Sequence, residues 1–418
     1  MIKLYDHQEK ALEQTKEHNR VAYYLDMGLG KTFVGSEKMR ILGENMNLVV
    51  CQKSKIKDWY NHFKTFYPEY EVVVFNNQYI GSWTQKKILI INYDLVWRRE
   101  QLLKLRAFTL ILDESSMIKN SKSKRTSFIM KLNPKNVILL SGTPTGGKYE
   151  ELLPQIRLLG WDITKRSYYN HYIITHSFNI GGFPVEKVIG YRNVDRLKRK
   201  LREHGAVFMK TEEVFNLPET REIHVGVQTT KAYSAFKKDK LVQLGKKVGE
   251  HEIVGDTSLT YMLGQRQLAA MYNENKYEEL KTIMESTEDR LIIFYNFNEE
   301  CRRIKEICNK LGKPVSEVNG SINDLDNYQN QDNSITLIQY QAGAMGLNLQ
   351  KANKLIYFSL PLQSDLFEQS KKRIHRIGQE NRCLYYYLIT KGSIEEKIYD
   401  TLKQRKDFTD RLFKELEE

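Results

Sequence analysis

The amino-acid sequence predicts an α/β protein in which two parallel β-sheets are each covered by helices. Short apolar runs of strand length alternate with helical or loop segments in two separate series, one before residue 145 and one after residue 285. The runs are continuously apolar, which is typical of strands covered on both faces. Between about residues 159 and 219 the alternation fades and aromatic and basic residues take over, which predicts a mostly helical insertion.

Length and charge narrow the class of protein. The 418 residues, 41% of them hydrophobic, are enough for a large core and for about two or three domains. The formal charge is +13, from 65 basic and 52 acidic side chains, which favours a polyanionic partner. No apolar run is long enough to span a membrane, and Met1–Lys10 does not have the pattern of a signal peptide.

The four cysteines do not form a disulfide or metal pattern. Cys51 and Cys383 lie in apolar strand-like runs, whereas Cys301 and Cys308 share one face of a predicted helix. Because no Cys-x-x-Cys pair is present, we expect buried, reduced thiols and an intracellular, cytoplasmic protein.

The first glycine-rich turn is the most informative stretch. The apolar run Val21–Leu25 leads into Asp26-Met27-Gly28-Leu29-Gly30-Lys31-Thr32 and then into a predicted helix. Such a turn points successive backbone N–H groups at one anion, next to the positive end of the helix dipole. Lys31 would place its charge between phosphates, and the Thr32 hydroxyl would ligate Mg²⁺. A complete phosphate loop has glycine where this chain has Leu25, so a surface turn is the alternative.

The first series of strands places polar residues at their carboxyl ends. The predicted strands are Asn47–Gln52, Glu71–Phe75, Lys87–Tyr93, Phe108–Glu114 and Asn136–Gly142. In parallel sheets, ligands bind beyond the carboxyl ends of the strands. Asp113 is expected to hold the same Mg²⁺ as Thr32, and Glu114 to orient and deprotonate a water. The alternative is a solvated acidic pair after a strand.

The N-terminal segment offers a second contact for a nucleotide. Asp6 and Glu9 are typical of the first turn of a helix, which is predicted to run to about His18. The Gln8 amide has the donor and acceptor that match an adenine edge. Tyr5 and Gln8 are otherwise ordinary surface residues at a helix end.

Basic residues are concentrated in the insertion and just after it. They are Arg192, Arg196, Lys198, Arg199, Lys200 and Arg202, followed by Lys237, Lys238, Lys240, Lys246 and Lys247. Contact with a phosphate backbone and a solvated helix face are both open interpretations of this pattern.

The second series of strands contains no second phosphate loop. Its strands are predicted at Arg290–Tyr295, Val315–Val318, Ile335–Tyr340, Lys354–Leu360 and Cys383–Ile389. Arg373 and Arg376 are three residues apart, so a helix would point both guanidinium groups the same way, towards phosphates or simply towards solvent. His375 between them is interpreted as structural. Ser393 and Glu396 predict the capped start of a last helix, whose apolar stripe would pack on the body.

Taken together in this order, the motifs resemble the Swi/Snf-like family of superfamily 2 ATPases over nearly the whole chain. The matching segments are Leu4–Gln8, Asp26–Thr32, Leu48–Cys51 with Trp59, Asn92–Asp94, Asp113–Ser116 with Ile118–Asn120, Ser141–Pro144, Leu291–Phe294, Gly346–Leu349 and His375–Gln379. Superfamily 2 tolerates a residue other than glycine at position 25. Ser116, Gln52 and Gly146 depart from residues usual in the family, which are His, Pro and Asn respectively.

The resemblance implies two RecA-like lobes. Lobe 1 is expected at 1–220, including a helical insertion at about 160–210, followed by a helical linker at 221–270. Lobe 2 is expected at 271–418 and includes the C-terminal packing helix.

The resemblance also implies ATP and Mg²⁺ as cofactors. ATP would lie in a cleft between the lobes, with Tyr5, Gln8, Met27, Gly28, Leu29, Gly30, Lys31, Thr32 and Gly346 around the nucleotide. Thr32 and Asp113 would hold the metal, and the catalytic residues would be Lys31, Asp113, Glu114, Gln369, Arg373 and Arg376.

The function implied by the resemblance is a DNA-stimulated ATPase that moves along duplex DNA as a monomer. Two rival functions remain open, a strand-separating helicase of the same superfamily and a nucleic-acid-binding scaffold with an inactive ATPase. A metabolic phosphate-loop kinase fits less well because it has no need of a second lobe with paired arginines.

Overall fold

The computed structural model describes residues 3–76, 85–180, 183–244, 252–343 and 347–413. The chain divides into two compact units, one formed by residues 1–215 with 406–418 and the other by residues 216–405. Within the described residues, no helix is both long and apolar enough to cross a membrane.

The first unit is built on a seven-stranded parallel sheet. Its strands are β1 (Arg20–Leu25), β2 (Met46–Cys51), β3 (Glu71–Val74), β4 (Lys87–Asn92), β5 (Phe108–Asp113), β6 (Asn136–Leu140) and β9 (Ala206–Met209). They lie in the order β3-β4-β2-β5-β6-β1-β9. Strands β2, β4 and β6 are buried at every position, as their continuous hydrophobicity predicted. An apolar cluster covers each face of this sheet.

Helices and one hairpin complete the first unit. The helices are α1 (Asp6–Gln14), α2 (Lys31–Leu42), α3 (Ile56–Phe66), α4 (Tyr93–Val96), α5 (Lys124–Ile129), α6 (Leu153–Leu158), α7 (Lys165–Tyr172), α8 (Val194–Glu203) and α9 (Thr211–Val214). The hairpin consists of β7 (Ile173–Ile180) and β8 (Phe183–Tyr191), which pair antiparallel in a sheet of their own. The insertion predicted as mostly helical at about 160–210 therefore contains two strands as well as α7 and α8. In its sequence, β-branched and aromatic residues lie on both sides of Gly181-Gly182, and strand-forming residues around such a dipeptide favour a hairpin over a helix.

The second unit also has a seven-stranded sheet. Its strands are β10 (Thr220–Val227), β13 (Leu291–Tyr295), β14 (Val315–Val318), β15 (Asn323–Asp324), β16 (Ile335–Gln339), β17 (Lys354–Tyr357) and β18 (Cys383–Thr390). The order is β10-β18-β17-β13-β16-β14-β15, parallel except for β15. The two parallel-sheet units confirm the predicted fold class.

The remaining elements of the second unit lie around this sheet or precede it. The hairpin β11 (Leu241–Gln243) and β12 (Glu252–Val254) is separate from it. The helices are α10 (Lys231–Asp239), α11 (Ser258–Arg266), α12 (Glu274–Glu285), α13 (Asn298–Lys310), α14 (Asp326–Asn330), α15 (Tyr340–Gly343) and α16 (Ser364–Lys371), and α17 (Ile394–Phe413) begins in this unit. Ile398 and Leu402 of α17 are buried in the apolar core, whereas Leu416 lies outside the described residues.

The domain boundaries differ from the prediction in the middle of the chain. Residues 221–270 were predicted to be a helical linker, but β10 pairs with β18 along eight residues and so belongs to the second sheet. The first unit ends at Phe215 rather than at residue 220. From Ile223 to Gly226, β10 alternates half-buried and exposed residues, as an edge strand does, so its sequence has no continuously apolar run that would predict a strand.

All four cysteines are free and buried, as the sequence predicted. Cys51 and Cys383 lie in the strands β2 and β18, and Cys301 and Cys308 lie on the buried face of α13. Their role is to fill the cores.

Candidate functional site

The loop between β1 and α2 has the geometry of an anion-binding turn. Gly28 and Gly30 have φ values of +90° and +73°, a backbone conformation that residues other than glycine rarely adopt. A Cβ atom on Gly30 would clash with the Gln8 amide, so a larger residue would also require the Gln8 side chain to move. The positive φ is the main reason why the turn needs glycine at position 30.

Lys31 is the first residue of α2, and its side chain lies under this turn. Its Nζ donates hydrogen bonds to the carbonyl oxygens of Leu25 at 3.0 Å and Asp26 at 3.3 Å. These contacts hold the ammonium at the carboxyl end of β1. Thr32 follows at the start of the same helix and is half-buried. Both residues thus lie where the phosphate-loop prediction placed them.

Asp26 and Thr211 form hydrogen bonds that stabilise the turn. Oδ1 of Asp26 accepts a hydrogen bond from the Met27 amide at 3.0 Å. The Thr211 hydroxyl lies 3.1 Å from Oδ2 of Asp26 and 3.2 Å from the Met27 carbonyl oxygen. No local pattern links Thr211 to the turn, because Thr211 comes almost 180 residues later, at the start of α9 just after the adjacent strand β9.

Gln8 is buried and bound to the turn itself. Its Nε2 donates to the Leu29 carbonyl oxygen at 3.1 Å, and its Oε1 accepts from the Tyr5 amide at 3.1 Å. Nε2 of His7 lies 3.1 Å from the same Leu29 oxygen. Tyr5 is 66% exposed and stacks on His7. Gln8 is therefore a structural part of the turn. The alternative that it is an ordinary surface residue at a helix end does not hold.

Asp113 lies at the carboxyl end of β5 and is held by an indole. Nε1 of Trp59, in α3, donates to Oδ2 of Asp113 at 2.8 Å, and the Tyr93 hydroxyl donates to the Asp113 carbonyl oxygen at 2.8 Å. Burial raises the pKa of Asp113, and the Trp59 hydrogen bond and the Lys31 charge oppose that rise. Trp59 was recognised only as part of a motif, since no sequence pattern reveals which atom its indole contacts.

Glu114 has a strained backbone and a defined side-chain partner. Its φ is +50°, which costs energy for a residue with a Cβ. The Ser141 hydroxyl donates to Oε2 of Glu114 at 3.2 Å, and the Thr143 amide donates to the Ser141 oxygen at 3.1 Å. The Ser141 hydrogen bonds thus connect the ends of β5 and β6 directly.

Gln155 also connects the segments that follow β5 and β6. It was not identified from the sequence. Its Oε1 accepts from the hydroxyls of Ser115 at 2.7 Å and Tyr24 at 3.0 Å. Its Nε2 donates to the Pro144 carbonyl oxygen at 2.8 Å. Gln155 is fully buried in the short helix α6, and no sequence signal distinguishes it from other glutamines.

In the second unit, Arg373 and Arg376 follow α16. Arg373 is 1% exposed, and its carbonyl oxygen accepts from the Leu349 amide at 3.2 Å. Nη1 of Arg376 donates to the Leu347 carbonyl oxygen at 3.3 Å, and burial lowers the pKa of this guanidinium. Because Arg373 is buried and Arg376 is half-buried, this segment is not a simple solvated basic face.

Gln379 and His375 support this segment. Nε2 of Gln379 lies within 3.1 Å of three carbonyl oxygens, those of Gln350, Ala352 and Ile374. Nε2 of His375 lies 2.9 Å from the Pro218 carbonyl oxygen, which agrees with a structural role.

Two other predicted site residues lie near this segment in the sequence. Gln369 is half-buried in α16. Gly346 lies outside the described residues.

The basic residues of α8 fall into two groups. Lys198 is buried with its Nζ 3.3 Å from Asp195, and Lys200 pairs with Glu203 at 2.6 Å. Arg196 and Arg199 are exposed. Only part of the predicted cluster therefore faces solvent, and Lys246 and Lys247 lie outside the described residues.

The order of these sites along the chain matches known protein families. A model of the SNF2-related domain matches residues 23–274, which is more than half of the chain. The chain belongs to the SNF2-related family. A model of the helicase conserved C-terminal domain matches residues 275–378 of this SNF2-related chain. The resemblance found from the motifs is thereby confirmed.

Several known proteins are similar to this SNF2-related chain. One is YwqA of Bacillus subtilis, whose name assigns it provisionally as an ATP-dependent helicase/translocase, with 24% identity over 93% of this chain and 46% of the relative. Another is the SWI/SNF-related matrix-associated actin-dependent regulator of chromatin subfamily A-like protein 1 of Drosophila melanogaster, with 24% identity over 94% and 53%. The chain spans about half the length of these curated relatives. A solved Sulfolobus solfataricus SWI2/SNF2 ATPase core in complex with dsDNA aligns over 98% of this chain and 92% of that chain, with 20% identity and a TM-score of 0.45.

Proposed function

We propose that the protein hydrolyses ATP and uses the energy to move along duplex DNA without obligatory strand separation. The observation that supports this most directly is the convergence of Lys31, Asp113 and Glu114 at the carboxyl edge of the first sheet. Membership of the SNF2-related family and the names of the relatives agree with it.

The phosphate loop is proposed to bind the triphosphate. Backbone N–H groups between Met27 and Thr32 and the start of α2 favour a bound anion, and Lys31 adds a full positive charge. ATP would take over Lys31 hydrogen bonds that the Leu25 and Asp26 carbonyl oxygens accept in this structure. Gln8 and Tyr5 are proposed to contact the adenine, since the described contacts leave Gln8 one N–H and one lone pair for a base.

The residues present fit a magnesium ion. The Thr32 hydroxyl and the Asp113 carboxylate are hard oxygen donors, which Mg²⁺ prefers, and Trp59 fixes the orientation of that carboxylate. The charged form of a carboxylate whose pKa is raised by desolvation, as that of Asp113 is, would also be stabilised by a cation. The bound ion would neutralise charge on the phosphate oxygens.

Glu114 is proposed to orient and deprotonate the attacking water. The Ser141 hydroxyl donates to Oε2 of Glu114 and so helps to orient this carboxylate at the end of β5, where a carboxylate can act as a general base. Arg373, Arg376 and Gln369 are proposed to stabilise the transferring phosphoryl group, and Gly346 to approach the nucleotide closely.

Duplex DNA is proposed as the track. A motor that follows phosphates needs no base recognition, because backbone contacts position a protein without reading sequence. The charge of +13 and the exposed Arg196 and Arg199 favour such contacts. A strand-separating helicase remains the rival within the same superfamily.

Replacing Trp59 with phenylalanine tests the proposed metal site. The change keeps an aromatic ring but removes the N–H that donates to Asp113, a type of hydrogen bond worth about 1.5–3 kcal/mol. We expect the Mg²⁺ concentration for half-maximal ATPase activity to rise several-fold, because the carboxylate is less well oriented. Trp161→Phe is the control, since Trp161 lies in the same unit and stacks on His204 away from Asp113. The same Mg²⁺ dependence in the two variants would show that the indole does not position the metal ligand.

An ATPase assay with different nucleic acids tests the function itself. Blunt duplex DNA is expected to stimulate hydrolysis at least as well as single strands, regardless of sequence, and stimulation should fall steeply with salt. Stimulation by single strands alone would favour the helicase instead.

A further inference from the structure

The hairpin formed by β7 and β8 projects from the first unit with both of its faces exposed. All described residues from Thr175 to Lys187 have exposed side chains, apart from Ile180, whose side chain is not described. An isolated two-stranded hairpin is only marginally stable in water, so it needs an anchor at its base. Here the base is anchored by buried Ile173 and by Tyr191, which stacks on Tyr149 and donates to Glu150 at 2.8 Å.

One face of this hairpin combines aromatic side chains with the positively charged Lys187. Residues directly opposite on antiparallel strands point to the same face, as do residues two apart on one strand. Phe178 pairs with Val185 and His176 pairs with Lys187, and Phe183 is two residues before Val185. Phe183 is 75% exposed, Val185 45% and Phe178 43%. These five residues define the aromatic face of the hairpin.

The opposite face has a different chemistry. It carries Ser177 opposite Glu186 and Asn179 opposite Pro184. Glu186 is the only acidic residue in the sequence of the hairpin, residues 173–191, so the aromatic face carries no negative charge. Arg192 follows at the hairpin base, where its Nη2 donates to the Ile173 carbonyl oxygen at 3.0 Å. Exposed rings with adjacent cations are the combination that binds unpaired nucleic-acid bases, because rings stack on bases while cations contact phosphates.

We propose that the aromatic face of the β7–β8 hairpin binds the unpaired bases of single-stranded DNA. Phe178 and Phe183 stack on the bases, and Lys187 contacts the backbone. The inference extends the proposed motor function, since it would direct a duplex motor to places where duplex DNA adjoins a single strand. Charge distinguishes DNA from an apolar protein partner here, because such a partner would gain nothing from the Lys187 ammonium beside the rings.

The test measures binding of a fluorescent 12-nucleotide single strand without ATP, compared with an abasic strand of the same length. Phe178→Ala combined with Phe183→Ala is expected to weaken binding of the base-containing strand at least about tenfold, since stacking contributes about 1–3 kcal/mol per base. Binding of the abasic strand should be weak in the wild type and unchanged in this variant. Ser177→Ala with Asn179→Ala is the control on the opposite face, and circular dichroism checks that each variant folds.

Two results would overturn the proposal. Equal wild-type affinity for the abasic and base-containing strands would show that only phosphates are contacted. Unchanged single-strand affinity in the phenylalanine variant, together with loss of self-association in sedimentation, would assign the face to a second copy of the chain. The binding assay contains no ATP, so its outcome is separate from the motor function. A wild-type ATPase that duplex DNA does not stimulate would refute the motor and leave the hairpin result valid.

Discussion

Glu114→Gln is expected to reduce ATP turnover to a trace while nucleotide binding is preserved. The amide keeps the shape of the side chain and still accepts from Ser141, but it cannot take a proton from water. General base catalysis contributes about 10²–10⁴-fold to rate, so kcat should fall by at least that order. Steady-state ATPase rates and the dissociation constant of a fluorescent ATP analogue measure the two effects separately.

Lys31→Ala is the matched comparison. Its ammonium lies under the phosphate loop, so its loss should weaken nucleotide binding itself as well as turnover. If Glu114→Gln retained near-normal ATPase activity, the proton acceptor would have to be another group, and the strained backbone of Glu114 would need a different explanation.

Arg376→Ala is expected to lower kcat by about 10³–10⁵-fold with little change in nucleotide affinity. This is the range found when an arginine that stabilises a transferring phosphoryl group is removed. Arg376→Lys should not restore activity, because a lysine cannot present the planar, forked donors of a guanidinium.

Arg373→Ala is expected to act in the same direction, but Arg373 is buried and its loss also threatens folding. A thermal unfolding curve must therefore accompany its kinetics. An unchanged kcat in folded variants of both arginines would refute their proposed role and leave hydrolysis to the first unit alone.

The sequence predicted those features that depend on local patterns. Strands β2 and β5 are continuously apolar because both faces of a parallel sheet are covered, so their positions were found within one residue. The glycine turn was predictable for a similar reason, since the positive φ values of Gly28 and Gly30 restrict which residues can occupy them.

Features that depend on distant contacts were not predictable from the sequence. The Trp59 hydrogen bond to Asp113 joins residues 54 positions apart, and Gln155 lies 40 positions from Ser115. Neither contact leaves a periodic signal along the chain. The β7–β8 hairpin was missed for a different reason, because the basic residues after it outweighed the pattern of β-formers around Gly181-Gly182.

Displacement of a third DNA strand tests the central claim most directly. A motor that tracks a duplex should remove a triplex-forming strand from it, because that strand lies in the path of movement. We predict ATP-dependent release of the third strand by the wild type, with none by Glu114→Gln, while a blunt duplex stays paired under the same conditions. Failure to release the third strand, with efficient unwinding of a tailed duplex and stimulation by single strands only, would contradict the translocase and establish the helicase.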